Sequence, residues 1–541
     1  PEDFAAYAKQ DAVATLRVFR ELERRLEAMG AENFLSEPIQ VRCDLVIADM
    51  EGRGVRVDPV LGEELRVRFV DMVLPLKIEM AAAGLGVWKP VPKTTVQIAP
   101  EVGCLHHTQA RCTEWAYHEG ALYRAKVLKK SVRWQKAQPA FSLSTAALQA
   151  ALGALGLPAA PLRDDGTLGL SYDHWAPKIP GDHRPLQAWL EYCKLQKILS
   201  TYLNVYSRAR RVFPRWWGLG ARTGRMSASC PSLQNVPKRR YGIRALFVPD
   251  EGKVFTKCDY TAQEMYTLDQ MMLDMGIRGR LHEVLSDTSV DFHIAGAAIV
   301  LEKKPSEVTK LERQGQKALH FGVPGGLGKD KLAAYAYNLY GLNWTPDEAG
   351  RRRQSFLNAF PDVNEYLKRM KEPQEDILRR VTGLGRFEWA HQLELNDWNV
   401  IKAMATHENP QVRALGIECE RQLLVKLRTG FRRGCCSFTE GANCGFQGLA
   451  AAVTKEAAWN AMRSGLEVVL VVHDEIVIQH IPELTDFYDR ELKDCMLGAF
   501  CKVCPDVGRY AKVELTTGLD RWGPATDRHG KILTLDMNAP V

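Results

Sequence analysis

The sequence predicts an α+β fold in which one β-sheet is interrupted by an inserted helical block. Three observations predict it. The run Leu466–Ile478 holds two apolar, β-branched stretches on either side of a polar centre, His473–Asp474–Glu475, the pattern of two buried strands joined by a tight turn. A second strand-like run, Val254–Asp259, with another around Arg244–Val248, lies some two hundred positions earlier. Between them, residues 262 to about 400 read as mainly helical. Mixed strands on both sides of a helical block imply one sheet with an insertion.

Composition narrows the class. The chain has 541 residues, 46% hydrophobic and 25% charged, long enough for several domains and globular rather than disordered. No apolar run approaches the roughly 20 residues of a membrane span, so no membrane partner is expected. A net charge of +7 permits nucleic acid as a partner without requiring it. The thirteen cysteines are scattered, as expected of reduced thiols in a cytosol-like compartment. The chain starts at Pro1 rather than Met, which reads as a fragment or processed chain.

In order, Tyr7–Arg25 reads as a helix ending at Gly30. A second helix closes at Glu51–Gly54, a short strand Val55–Asp58 follows, and 59–83 is helical by period. Residues 90–140 differ, being rich in Pro, Lys, Arg, Trp and His with no clear period. Cys104, His106, His107 and Cys112 could hold zinc, but they are compressed into nine positions without a second matching pair, which argues against a site. Lys126, Lys129, Lys130, Arg133 and Lys136 with Trp134 suit a phosphate backbone as well as they suit a solvated charged face. Helix resumes from Ser144 and over Leu186–Tyr206.

The polar residues that could carry chemistry fall at the strand ends. Asp474 and Glu475 beside a buried hairpin are costly to desolvate without a partner, and a divalent metal is one such partner; a solvent-facing acidic turn is the other reading. Asp259 ends the earlier strand, 215 positions before Asp474. Two carboxylates converging from strands of one sheet can share two metal ions, as phosphoryl and nucleotidyl transfer require; alternatively Asp259 caps the next helix. In Arg313–Phe321, positions i, i+4 and i+8 advance by only about 40° each on a helix. Arg313, Lys317 and Phe321 therefore share one face, where two cations and a ring suit a nucleoside triphosphate. A solvated basic face with a core Phe fits the same spacing. The Gly322–Gly328 run matches neither a P-loop nor a dinucleotide fingerprint. Thr223–Ser227 and Pro231–Asn235 are polar loops, and Asn443 and Gln447 stand at i, i+4 ahead of a helix; neutral amides there suit minor-groove acceptors.

These motifs, taken in order, resemble DNA polymerases of family A, the class of bacterial DNA polymerase I and many phage replicases, with the phage-type branch expected. Asp259–Tyr260 with Glu264 resembles the family's first palm motif. Arg313, Lys317 and Phe321 resemble its fingers helix, and Val472–His473–Asp474–Glu475 its last palm motif. Thr223–Ser227, Leu233–Asn235 and Asn443–Gly448 resemble its primer–template contacts, Glu191–Leu203 its thumb–palm segment, and Asp291–Phe292–His293 an Asp-x-His element of the fingers.

The resemblance implies a right-hand architecture with helical thumb, antiparallel-sheet palm and helical fingers. Residues 1–35 would be the remnant of a 3′–5′ exonuclease domain, 36–210 the thumb with an insertion at about 90–140, 211–262 and 436–541 the palm, and 263–435 the fingers. It implies that Asp259 and Asp474, helped by the Tyr260 carbonyl, hold two Mg2+ ions, for which Mn2+ may substitute, with Glu475 supporting. Arg313, His293 and Lys317 would meet the triphosphate, Phe321 the sugar, and Glu264 would block a 2′-hydroxyl. Arg225, Gln234, Asn235, Asn443, Gln447 and His473 would hold primed template DNA. The implied activity is addition of deoxynucleotides to a primer 3′-OH in replication or repair, in the cytoplasm of a bacterial or phage-infected cell, with an organelle as a further setting. A single-subunit RNA polymerase and a non-catalytic primer–template-binding subunit are the rival readings. Tyr7-x-x-x-Asp11 resembles the last exonuclease motif, and one carboxylate cannot assemble a two-metal site, so no proofreading is expected of the fragment. A processivity factor docking at 90–140 is a further implied partner.

The departures are specific. Gly325, after Pro324, stands where the family's fingers helix carries Tyr, and Pro predicts a helix end near 323. The first palm motif reads Asp-Tyr-Thr-Ala-Gln-Glu. Thr439 replaces the usual Arg before Asn443, and Val471 replaces the usual Gln before Val472.

Overall fold

The protein is described here by a computed structural model covering residues 2–28, 36–89, 95–97, 115–118, 121–128, 131–136, 140–157, 175, 178–237, 242–382, 398–422, 425–434 and 436–523. At its centre is a four-stranded antiparallel sheet in the order Glu467–Val472, Glu475–His480, Val254–Thr261, Lys512–Leu519. Every residue of Glu475–His480 is buried, so this strand lacks the alternation of a half-exposed one. Its centre, Ile476–Val477–Ile478, is accordingly an unbroken apolar run, and the buried Gln479 and His480 beside it hold hydrogen-bond partners in Asp250 and Thr256. The helix Phe438–Arg463 packs on the sheet and against Gln263–Asp274 and Thr485–Val503. It is rich in alanine at its buried positions, including Ala442, Ala450, Ala457 and Ala461, which lets its neighbours approach closely. A capping box between Ser437 and Glu440 starts it.

The sheet is interrupted as expected. Between Thr261 and Glu467 the described chain is mostly helical, from Gln263–Asp274 to Phe438–Arg463. Three N-terminal helices, Glu2–Ala28, Ser36–Arg53 and Pro59–Ala82, also fall where the sequence placed them, and Asp58 caps the third through Val60 and Leu61 N–H. The expected strand Arg244–Val248 is corrected: Ile243–Leu246 is a 3-10 turn, and only Phe247–Val248 is extended.

Residues 90–140, where no period was legible, contain a sheet. Gly86–Lys89 pairs with Ala140–Leu143, and between them a four-stranded antiparallel sheet forms in the order Thr95–Gln97, Ser131–Lys136, Ala121–Leu128, Trp115–His118. Lys89 stands opposite Ala140, so the insertion leaves and rejoins the chain at one place. Cys104, His106, His107 and Cys112, the residues weighed and disfavoured as a zinc site, lie with Lys129 and Lys130 outside the described residues. Among the described helices, none is long and apolar enough to cross a membrane.

Candidate active site

The central sheet brings the two distant acidic motifs together. Asp259 stands in register with Glu475, and Tyr260 N–H donates to the Asp474 carbonyl across 3.3 Å. The hairpin turns at His473, whose φ of 60° is left-handed, a conformation that His adopts more readily than most residues. On the other side, Ala262 at φ 53° makes the corner from the Asp259 strand into Gln263–Asp274, with Glu264 in the first turn of that helix. Tyr260 is buried and its hydroxyl donates to Met496 O at 2.7 Å. Its side chain therefore anchors the strand, leaving only its backbone for chemistry.

The two neighbouring acids of the hairpin have different surroundings. Glu475 is 2% exposed, and its Oε1 accepts from Arg244 Nη1 at 3.1 Å and Trp522 Nε1 at 2.9 Å. Arg244 in turn lies 4.1 Å over the Trp522 ring. Glu475 is thus committed to a buried ion pair, whereas Asp474 is half-buried at the turn. The sequence gives no signal for this arrangement, because Arg244 and Trp522 are remote and neither stands in a motif.

Among the described residues no three His, Cys, Asp or Glu side chains gather closely enough to hold a metal. The donor set nevertheless suits Mg2+, which keeps waters and takes one or two carboxylates plus substrate phosphates rather than a full protein cage. Asp259, Asp474 and the Tyr260 carbonyl are such a set.

The helix Lys310–Gly322 starts at a capping box formed by Thr309 and Glu312 and ends at Gly322, before Pro324, as expected. Arg313 makes a two-pronged pair with Asp291, Nε to Oδ1 at 3.0 Å and Nη2 to Oδ2 at 2.7 Å. Asp291 also caps the helix Phe292–Leu301 through Ile294 N–H. Burial pushes the Asp291 carboxyl up, but Arg313 and this cap overcome it and hold it below the usual range. Lys317 and Phe321 are half-buried on the same helix. His293 is the exception to an open site: it is 5% exposed, its ring centroid lies 5.6 Å from that of Phe321, and burial, then the Lys317 charge, push its pKa down to about 3.

The expected DNA contacts lie nearby and are already engaged. Arg225 pairs with Glu264. Gln234 Nε2 donates to Val471 O at 3.2 Å, and Asn235 Nδ2 to Ser232 Oγ at 2.7 Å. Arg225, Gln234, Lys455 and His473 line one small cleft. Lys455 is buried beneath it, bonded to Gln40 Oε1 at 2.6 Å, and burial pushes its pKa down to about 8.

Asn443 Nδ2 donates to Thr439 O at 2.7 Å and to Gly325 O at 3.1 Å, and Gln447 Nε2 reaches Asn443 Oδ1 at 3.5 Å. Gly325 is small for a reason: a Cβ there would lie 2.6 Å from Asn443 Oδ1. Gly326, at φ +78°, faces Phe438, whose ring atom would lie 2.8 Å from an added Cβ. Gly326→Ala should therefore lower stability by about 1–3 kcal/mol, read as a fall in the urea unfolding midpoint. An unchanged midpoint would mean that the turn relaxes freely.

The profile that describes DNA polymerase family A matches residues 135–523. The chain belongs to DNA polymerase family A. DNA polymerase I of Chloroflexus aurantiacus is 26% identical over 518 residues, covering 92% of this chain and 45% of that protein. DNA polymerase I of Aquifex aeolicus is 29% identical over 311 residues, 55% of this chain and 44% of that protein. The chain thus spans less than half the length of these relatives. The solved POL domain of Pol1 from M. smegmatis, in complex with DNA primer-template and dNTP, superposes with a TM-score of 0.56 at 19% identity, over 89% of this chain and 70% of that one. The fold is that of the right-hand polymerases. Gly325 adds no side chain to the turn after the helix Lys310–Gly322, and Phe438, from the helix that Asn443 also occupies, packs beside Gly326 in the same turn.

Proposed function

We propose that the chain adds deoxynucleoside triphosphates to a primer 3′-hydroxyl under the direction of a template strand. The observation that carries this reading is the meeting of Asp259 and Asp474 at adjoining ends of one sheet, in a chain of family A. Residues 211–262 and 436–541 act as palm, 263–435 as fingers and 36–210 as thumb. Asp259, Asp474 and the Tyr260 carbonyl hold two Mg2+ ions, which when bound lower the pKa of the primer hydroxyl and neutralise charge on the reacting phosphate.

The protein's own groups do the rest. Arg313 offers a guanidinium fork to phosphate oxygens once it exchanges its bond with Asp291. Lys317 holds a proton that the leaving pyrophosphate can take up. Phe321 packs on the nucleotide sugar, and Glu264 occupies the space of a 2′-hydroxyl. Arg225, Gln234, Asn235, Asn443, Gln447 and His473 take the primer end and the minor groove, the first five after releasing their present partners, since hydrogen bonds to phosphate and minor-groove acceptors replace those within the protein.

Primer extension with Mg2+ and all four deoxynucleotides tests this. Extension is expected; binding of primed DNA without extension would favour a non-catalytic subunit. Glu264→Ala should raise ribonucleotide use relative to deoxynucleotide by on the order of 10²-fold, read as the ratio of kcat/KM values. Equal use of both by the parent chain would overturn the gate.

A further inference from the structure

The helix Lys310–Gly322 has a second polar pair that faces inward. Gln316 and His320 stand one turn apart and are 3% and 0% exposed, far deeper than Arg313 or Lys317. Buried polar groups need partners, and here the partners form a chain. Gln316 Nε2 lies 2.9 Å from His320 Nε2, and His320 Nδ1 lies 2.9 Å from His293 Nδ1. The His320 ring is held in place by Phe292, stacked at 4.2 Å, and by Phe356 and Phe360 edge-on at 5.6 and 6.0 Å. Gly296 makes room for it, since a Cβ there would lie 2.6 Å from His320 Nε2.

The protons on this chain have one consistent arrangement. An amide nitrogen donates and does not accept, so His320 Nε2 must accept from Gln316. A neutral imidazole that accepts at Nε2 carries its proton on Nδ1. His320 Nδ1–H therefore donates to His293 Nδ1, and His293 is left with its proton on Nε2. Burial, with the charges of Lys317 and Arg313 near His293, keeps both rings neutral.

We propose that Gln316 and His320 are positioning residues that lock His293 in the Nε2–H form, so that it presents a hydrogen-bond donor to the triphosphate of the incoming nucleotide. This rests on the reading of His293 as a triphosphate contact. Phosphate oxygens only accept, so the other tautomer would set a lone pair against a lone pair. With Arg313 and Lys317 on one helix face and His293 beside them, the third donor adds no charge. It strengthens phosphate binding without adding to the repulsion between the two cations.

The test uses the full chain labelled with 15N-histidine, with the signals of His293 and His320 assigned by difference against His293→Ala and His320→Asn. The expected spectrum shows a protonated Nε2 and an unprotonated Nδ1 on His293, and the reverse on His320. A protonated Nδ1 on His293 overturns the relay. In extension assays His320→Phe, which cannot donate, should raise the KM for deoxynucleotide about tenfold with a smaller change in kcat. His320→Asn, whose amide can still donate to His293, should stay within about threefold of the parent. If His320→Phe leaves KM unchanged while His293→Ala raises it, the relay is wrong and the triphosphate contact stands. If His293→Ala itself leaves KM unchanged, the triphosphate contact is wrong, and the role proposed for the relay falls with it.

Discussion

Asp259→Asn and Asp474→Asn should each lower the rate of primer extension by on the order of 10³-fold or more, with binding of primed template changed by no more than a few fold. The substitution keeps the shape of the side chain and removes its charge. It spares the fold, because the contact that joins the two motifs runs from Tyr260 N–H to the Asp474 carbonyl and involves backbone alone. What it removes is half of the negative charge available for divalent cations. An amide binds Mg2+ far more weakly than a carboxylate, and the attacking hydroxyl then keeps a pKa too high for reaction at neutral pH. Single-turnover extension at saturating DNA isolates this step, and a binding isotherm for primed template on the same preparation checks the fold. Either variant extending at the parent's rate would remove that carboxylate from the metal site.

How much of this was legible in the sequence depends on the range of the interaction. The hairpin at 473–475 could be read because burial of a strand writes itself into consecutive residues, and the one-face placement of Arg313, Lys317 and Phe321 because helical geometry is local. The end of that helix at Gly322 followed from Pro324 for the same reason. The sheet within 95–136 was not legible: two of its strands, Thr95–Gln97 and Trp115–His118, are only three and four residues long, and Ala121–Leu128 lacks alternation, so pairing rather than composition defines them. The partners of functional side chains were equally invisible. Glu475 could be classed as supporting rather than ligating, but not why, since Arg244 and Trp522 come from distant parts of the sequence. His293 was implied only as a contact to the triphosphate; its burial against His320 depends on two helices meeting. Gly325 reads as a loss of the family's Tyr, whereas the structure gives it a positive reason in Asn443, and gives Gly326 one in Phe438.

Glu475→Ala should destabilise the protein by about 3–5 kcal/mol, the largest stability effect expected from a single change near the site. The glutamate and Arg244 are 2% and 7% exposed, and Trp522 is fully buried. Removing the carboxylate leaves a guanidinium in the core without its counter-charge and strips the Trp522 N–H of its acceptor. The cost is that of an uncompensated buried charge, which exceeds what the intact pair contributes. Arg244→Met on the same background takes away the stranded charge, so the double variant should regain most of the loss, and the urea midpoints of the parent, the two single variants and the double variant measure that coupling. A double variant no more stable than Glu475→Ala would mean that the loss comes from packing around Trp522. The same cycle bears on catalysis. Arg244 already feels the charge of Asp259 as well as that of Glu475, so without Glu475 its charge falls on Asp259, a carboxylate proposed to bind metal. Glu475→Ala should then need more Mg2+ for half-maximal extension, and Arg244→Met should restore the parent's requirement. In that case the acidic chemistry of the hairpin divides cleanly: Asp474 meets the cations, and Glu475 keeps a buried arginine from competing with them.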